Sequence, residues 1–427
     1  MSRVAVVGGG LAGTLAALRL LEAGHRVQLR EAGPALGGMI APVDLAGALV
    51  DAGAEAYAVR GGVGRALCAE FGIEVAGPSG AAHIWRPAGA YRMAEGVVGI
   101  PATLDDPALE ALTPEGRAAV AREAELGPEV GADATTVGAL VRARLGEEAL
   151  ATLVEPVTRG VYATPADHLP LAAMAPGLIA ALRERGSLLA AVAATRANGP
   201  TVEQPVGGMF RLIAEIGRRV REAGGDVRCA APVVTLARDG DELFLTTADG
   251  ETLRADRVVL ATPAAVAARL LAQVGVEIEP PAVRSARFAV LAVSTPALAD
   301  DPVGSGVLVA DPVPELKAKA LTHYSAKWPW ARAEGREMLR LSYPADVEPT
   351  LDQAVADASL LTGVDIETGQ VAAFASVEWA AMPARIDPVT RDRFLGDAAG
   401  IGVDLVGAWI DGNGIAPVIL GVERVLG

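Results

Sequence analysis

The chain has 427 residues, of which 51% are hydrophobic and 21% charged, and it carries a formal net charge of −15. That length exceeds one compact core and calls for two or three domains, while the composition excludes a disordered chain. The negative balance excludes nucleic acid as a partner and disfavours broad adhesion to anionic lipid, since both present negative phosphates.

Arg3-Val4-Ala5-Val6-Val7 predicts a short strand. Gly8-Gly9-Gly10-Leu11-Ala12-Gly13 follows it at once, and an Ala/Leu-rich helix then runs to Gly24. A second strand, Arg26 to Arg30, ends on Glu31, 23 residues after Gly8. In this order Gly8 makes a tight turn, Gly10 lets the backbone approach a pyrophosphate, and Gly13 lets the helix pack close against the strand. The helix N-terminus offers free N–H groups and a positive dipole end to the phosphates. Glu31 is placed to accept both ribose hydroxyls. The spacing predicts a dinucleotide site. Arg30 should point to the opposite face of its strand, which leaves no Arg beside Glu31 for a 2′-phosphate and disfavours NADP.

Farther on, residues from about 104 to 195 are dominated by helix formers at 3.6-type spacing, as in Thr136 to Arg142. Asp226 to Val234 and Leu243 to Thr246 read as strands around the turn Asp239-Gly240-Asp241, and Ala255 to Pro263 as a buried strand running into a helix. From about 276 to 380 the pattern alternates like strands, as in Ala289 to Val293 and Met338 to Ser342. Near the end, Val403 to Trp409 predicts a strand. The turn Gly412-Asn413-Gly414-Ile415 follows, then a helix from about Ala416 to Leu426. The expected organisation is a discontinuous nucleotide domain (1–80, 196–275 and 385–427), a substrate domain (81–103 and 276–384) and a helical insertion (104–195). Cys68 and Cys229, the only cysteines, read as buried or free thiols of a reducing compartment. Met1-Ser2 leads straight into a strand without a signal peptide, and no apolar run approaches the roughly 20 residues of a membrane helix. A soluble cytoplasmic protein is expected. The four His have no metal-like spacing and there is no nucleophile elbow, so no metal site is expected.

Several separated segments resemble known families. Leu36-Gly37-Gly38, directly after the acid, resembles the flavoprotein oxidase and desaturase superfamily, and its glycine pair would let a loop pass close over a ribityl-pyrophosphate. Val50 to Arg60 is similar to the "DxGxEAF…R" stretch of the porphyrinogen oxidases, and Leu153 to Ala163 to their "EPLxxGVYAG" signature, with Leu169-Pro170-Leu171 after it. Gly304 to Val309 resembles "GSGVLVP", Lys317 to Pro329 resembles "KAxTFSSxKWP", and Gly407 to Val418 resembles "GxxxxGVGVPDCI". Together these cover nearly the whole chain in order. The resemblance is to the oxygen-dependent coproporphyrinogen III / protoporphyrinogen IX oxidases of late haem synthesis, and to their actinobacterial members most. The chain departs from that pattern at Met39, where the family carries Lys or Arg, and at Asn413, where Val is usual. In Glu378 to Asp387 the Trp and Met-Pro of "RWxxAMPQYxxGH" survive, but the Gln-Tyr and Gly-His do not.

The resemblance implies an α/β fold with a Rossmann-type FAD-binding domain, an α+β substrate domain and a helical insertion. It implies non-covalent FAD held by Gly8, Gly9, Gly10, Leu11, Ala12, Gly13, Glu31, Gly37, Gly38, Met39, Gly53, Ala54, Glu55, Ala56, Val233, Trp379, Ala408, Asn413, Gly414 and Ile415. The terminal helix would aim its N-terminus at the flavin ring and favour the negative charge of the reduced form. The implied activity is a six-electron oxidation of coproporphyrinogen III, with hydride to flavin N5, dioxygen as acceptor, hydrogen peroxide released and a handover to a ferrochelatase. For the substrate, Arg159 is expected to fork a propionate, Gly160 to offer its carbonyl to a pyrrole N–H, and Arg60 to lie near flavin or propionate. Plainer readings stand beside these: Arg159 as a surface Arg at a helix end, Arg60 paired with Glu55, and Trp379 as a core Trp. Lys327 and Trp328 read as structural, His168 and His323 as surface or satisfied core histidines, and Tyr162 as packing. The alternatives are protoporphyrinogen IX as substrate, an amine-oxidase or desaturase relative, and a flavin- or porphyrin-holding protein without turnover.

Overall fold

The computed structural model describes every residue except 163, 197, 198, 333, 334, 384, 385 and 427, and of 380–383 and 426 it describes the backbone course alone. Ala163, which ends the second signature, and Ala384 and Arg385, in the altered stretch and at the expected 385 boundary, lie outside the described residues. The chain divides into two compact units: residues 1–77, 200–286 and 377–427 form the first, and 78–199 with 287–376 the second.

Unit 1 is built on five parallel strands in the spatial order Asp226–Arg228, Arg26–Arg30, Arg3–Val7, Arg257–Leu260, Val403–Leu405. The inner strands Arg3–Val7 and Arg257–Leu260 are short and largely apolar because both of their faces are covered. Side chains alternate along Arg3–Val7. Val4 and Val6 face a core shared with the helices Leu11–Glu22, Phe210–Glu222 and Ile415–Leu426. Ala5 and Val7 face the other way, into a core with a three-stranded antiparallel layer (Val233–Asp239, Glu242–Thr247, Thr252–Ala255) and the helix Ala264–Ala272.

Two expected strands of this unit end early, each for a local reason. The strand starting at Asp226 stops at Arg228 and resumes at Val233. Between them Ala230 adopts φ +53°, and the N–H groups of Ala230 and Ala231 donate to the carbonyls of Gly33 and Glu31. The terminal strand stops at Leu405, because Gly407 turns the chain at φ +118° and Ala408–Asp411 is helical.

Unit 2 holds most of a seven-stranded sheet in the order Val371–Pro383, Val283–Val293, Glu337–Tyr343, Ala320–His323, Gly306–Val309, Ala82–Arg86, Gly89–Arg92, of which residues 283–286 and 377–383 are counted in unit 1. One face, including Leu291, Val307, Leu321, Leu339 and Leu341, packs on Ala354, Val355, Ala358 and Leu361 of the helix Leu351–Thr362. The helical stretch has its own core around Leu140, Leu153, Leu178 and Val192. The sequence pattern separated this stretch from the sheet as a distinct domain, yet both fall in one unit. The helix Glu155–Tyr162 lies against the sheet residue Leu308, and Arg86 of the sheet bonds to Thr152.

Candidate functional site

Backbone geometry makes the site of unit 1. Gly8 sits at φ +104°, and a Cβ there would lie 2.5 Å from the Ala261 carbonyl oxygen, so only glycine fits. A Cβ on Gly13 would lie 1.9 Å from the Gly8 carbonyl oxygen, which is how closely the helix Leu11–Glu22 approaches the loop. At Gly10 a Cβ would meet nothing within 4 Å. Gly10 is also the N-cap of that helix and gives it no side-chain cap. An open cradle therefore lies over the orphan N–H groups of the first helical turn, the arrangement that accepts a pyrophosphate.

The acid closes one side. Glu31 accepts from the N–H of Gly9 and, at 2.6 Å, from that of Gly33. Arg30 is withdrawn: it is fully buried, with Nη2 2.7 Å from Asp226 and 2.8 Å from Glu251. No guanidinium from that position is left for a 2′-phosphate, as the strand alternation predicted.

The glycine pair closes another side. Gly37 donates to the Gly9 carbonyl at 2.9 Å and bridges Gly10, and a Cβ on Gly38 would lie 3.4 Å from the Gly10 Cα. Met39 makes its contact through its carbonyl, which accepts from Ala54 N at 2.9 Å, and a Cβ on Gly53 would lie 2.1 Å from that oxygen. Trp379 Nε1 donates to Ala52 O at 3.3 Å, and its ring stands beside Gly53. Leu11, Ala12, Ile40 and Ile415 share one core, with Leu36, Ala54 and Ala408 packed against it. Most of the expected cofactor residues are thus brought together. Val233 belongs to the core on the other face of the sheet, and follows the turn whose amides hold Gly33 and Glu31.

Three supporting residues were not singled out from the sequence. Asp51 is buried and accepts from the N–H groups of Met209 (2.8 Å) and Phe210 (3.3 Å), at the start of the helix Phe210–Glu222. Gln204 donates to both Asp51 and the Glu55 carbonyl, fixing the 53–56 segment from behind. Asp411 accepts from Gly407 N and from Arg424, both at 2.8 Å. Burial pushes its carboxyl above the ordinary range and outweighs both donors. Asp51 opens a quoted motif, but nothing local in the sequence marks Gln204 or Asp411.

In unit 2 the second signature forms the helix Glu155–Tyr162. Arg159 is 63% exposed and its Nε is 2.5 Å from Glu155, whose other oxygen accepts from Ala166 N. This pair is a surface one, yet the Nη nitrogens of Arg159 meet no partner among the described residues. Gly160 has a steric role, since a Cβ there would come within 2.8 Å of Leu308. The packing expected of Tyr162 is corrected: it is 42% exposed and Val161 60%, an apolar pair turned outward. Arg60 is exposed and belongs to unit 1, so no single unit contains all three expected substrate residues.

His323 is buried but only half satisfied, with Nε2 facing Glu337 and Nδ1 without a partner among the described residues, and His168 is exposed. The buried Glu337 carboxylate accepts from Ser325 Oγ, lies 3.2 Å from His323 Nε2 and is 2.9 Å from Arg332 Nε. Burial alone would raise this carboxyl, but His323, Ser325 and Arg332 hold it below its usual value. Asp301, His323 and Glu337 place ligand-type atoms within 4.8 Å of one another. Arg332 already bonds to both carboxylates and supplies their countercharge, so the cluster reads as an ion network. Trp328 is fully buried, with Lys327 5.4 Å from its ring centre.

A glycine loop opening a helix, an acid ending the second strand and a 3-2-1-4-5 parallel sheet define a dinucleotide-binding protein. The flavin-containing amine oxidoreductase family matches residues 11–299. The coproporphyrinogen III oxidase of Mycobacterium leprae is 32% identical over 99% of this chain and 96% of its own. That of Mycobacterium tuberculosis (strain H37Rv) is 33% identical over 79% of this chain and 75% of its own. A crystal structure from Exiguobacterium sp. 255-15, provisionally named a protoporphyrinogen oxidase, aligns over 99% of this chain and 97% of its own. Its TM-score is 0.80 at 22% identity, a likeness of fold. The chain belongs to the flavin-containing amine oxidoreductases, in the group that includes the mycobacterial coproporphyrinogen III oxidases. It is an FAD-dependent oxidoreductase. No helix among the described residues is long and apolar enough to cross a membrane.

Proposed function

We propose that the chain is a cytoplasmic enzyme of haem synthesis that oxidises coproporphyrinogen III to coproporphyrin III with non-covalent FAD. The observation that carries this reading is the identity to the Mycobacterium leprae coproporphyrinogen III oxidase, 32% over nearly the whole of both chains. The overall conversion removes six electrons and six protons. When bound, FAD would supply the two-electron acceptor, with hydride taken at N5, for each of three oxidations, and dioxygen would carry the electrons on to hydrogen peroxide.

The residues of the chain bind and orient. The first-turn amides of Leu11, Ala12 and Gly13 receive the pyrophosphate over Gly10, Glu31 receives the ribose hydroxyls, and the Val233 backbone receives the adenine. Gly37, Gly38 and Met39 with Gly53, Ala54, Glu55 and Ala56 line the ribityl-phosphate portion. Trp379, Ala408, Asn413, Gly414 and Ile415 line the ring end. For the substrate, the outward Nη pair of Arg159 forks a propionate and the Gly160 carbonyl meets a pyrrole N–H, while Arg60 keeps its reading as a residue near flavin or propionate. Exposed Val161 and Tyr162 offer apolar contact to a macrocycle. No side chain needs to act as acid or base, and the product passes on to a ferrochelatase.

The deciding experiment mixes the purified holoprotein with each porphyrinogen in air and follows porphyrin fluorescence, oxygen uptake and peroxide. Growth of coproporphyrin III with three peroxides per porphyrin supports the reading. Faster oxidation of protoporphyrinogen IX reassigns the substrate, and no porphyrin from either sinks the proposal.

A further inference from the structure

We propose that Asp411 is a positioning residue for the ring end of the FAD site: it ties the exit of the strand Val403–Leu405 to the body of the helix Ile415–Leu426, and so fixes the turn between them. The proposal rests on the reading of that turn as the flavin-ring contact. Gly412, Asn413 and Gly414 separate the short helix Ala408–Asp411 from the terminal helix, and both glycines have positive φ (+116° and +112°). Such a segment has wide backbone freedom of its own, so anchors at its two ends bear on its position.

Asp411 supplies that constraint. Its side chain is 5% exposed. One carboxylate oxygen accepts from Gly407 N, before the turn, and the other from Arg424 Nη2, after it, both at 2.8 Å. The same Arg424 nitrogen donates to the Leu405 carbonyl at 3.1 Å, so strand end, short helix and terminal helix are joined through the Asp411–Arg424 pair. An independent observation points to the same place. Gly421 lies inside the terminal helix, where glycine is a poor choice. A Cβ there would lie 2.0 Å from Asp411 Cγ. The helix thus gives up a side chain where the carboxylate sits.

The test compares FAD with ADP, which engages only the Gly8–Gly13 and Glu31 end. Apoprotein of wild type, Asp411→Asn and Gly421→Ala is titrated with each ligand, by flavin fluorescence and by calorimetry. Losing one charge-assisted tie should weaken FAD binding about tenfold in each variant while ADP binding stays within about twofold. The absorption bands of the bound flavin should also lose their fine structure. Arg424→Lys, which keeps the charge and loses the two-point contact, should show the same selective loss if either other variant fails to fold. Equal weakening of FAD and ADP, or wild-type FAD affinity in Asp411→Asn, overturns the proposal. A wild-type chain that binds ADP but not FAD overturns the underlying reading and the proposal with it.

Discussion

The two units present candidate sites of opposite construction. In unit 1 the contacts come from backbone: amides over Gly10, carbonyls of Gly9 and Met39, and glycines whose missing side chains permit close approach. In unit 2 they come from the exposed tips of one helix, Arg159, Val161 and Tyr162. A backbone site is rigid and tolerant of side-chain exchange except where a Cβ intrudes. A side-chain site depends on single groups and leaves the fold indifferent to their loss.

The sharpest way to break that comparison is Gly10→Val. A Cβ there meets no protein atom within 4 Å, so the apoprotein should melt within about 2 °C of wild type. The branched side chain fills the cradle, and FAD affinity should fall at least about 100-fold, read as flavin content after gel filtration. Full flavin content would show that the cradle lies elsewhere. Gly13→Val is the contrast: with the Gly8 oxygen 1.9 Å from its Cβ position, it should lower both flavin content and the melting temperature.

Arg159→Ala tests the other side. Loss of a charge-assisted fork to a partly desolvated carboxylate costs about 1.5–3 kcal/mol, a fall of about 10- to 150-fold in kcat/KM. Flavin content and spectrum should stay unchanged, and Arg159→Lys should recover part of the loss. Wild-type kinetics in the Ala variant would reduce Arg159 to its surface pair with Glu155.

The units also carry buried carboxylates whose shifts have opposite sign. Glu337, in unit 2, titrates below its usual value when folded, so its stabilisation is full above the ordinary carboxylate range and is lost as pH falls through the folded value. Asp411, in unit 1, titrates above its usual value, so its contribution is present at low pH and lost as pH rises through the folded value. Glu337→Gln should therefore flatten the acid limb of the melting curve measured between about pH 3 and 6, at a cost of about 1–3 kcal/mol at neutral pH. An unchanged acid limb would place the acid sensitivity on other groups.

The smallest effect is expected from Met39→Lys, which restores the residue usual in the family. Met39 holds its neighbours through its carbonyl, so FAD affinity should change by less than about threefold. A larger change would show that the side chain, and not the backbone, matters at this point.

Legibility in the sequence follows the same division. The loop Gly8–Gly13 and its flanking strand and helix could be read directly, because a positive φ at Gly8 and a 1.9 Å approach at Gly13 admit one residue type each. The withdrawal of Arg30 followed from strand alternation, although its partners Asp226 and Glu251 lie about 200 residues away in sequence. The strand expected to run from Asp226 to Val234 failed at Ala230, whose positive φ serves Gly33 and Glu31 and leaves no signature in an Ala-Ala-Pro stretch. Tyr162 was misread because apolar character is ordinarily a sign of burial, and here it faces outward.

By itself, then, the sequence determined the elements whose reason is local: the glycine loop, the acid ending the second strand, the alternation of the buried strands and the positions of the signatures. Only the tertiary structure decided which side chains support them. Gln204 meets Asp51 across 153 residues and Glu55 across 149, and Glu337 collects Ser325, His323 and Arg332 from separate elements. Asp411 meets Arg424 in the space left by Gly421. A turn or a cap is fixed by the dihedral limits of a few adjacent residues. A buried polar group is fixed by whichever partner the folded chain brings within hydrogen-bonding distance, and no periodicity records that partner in advance.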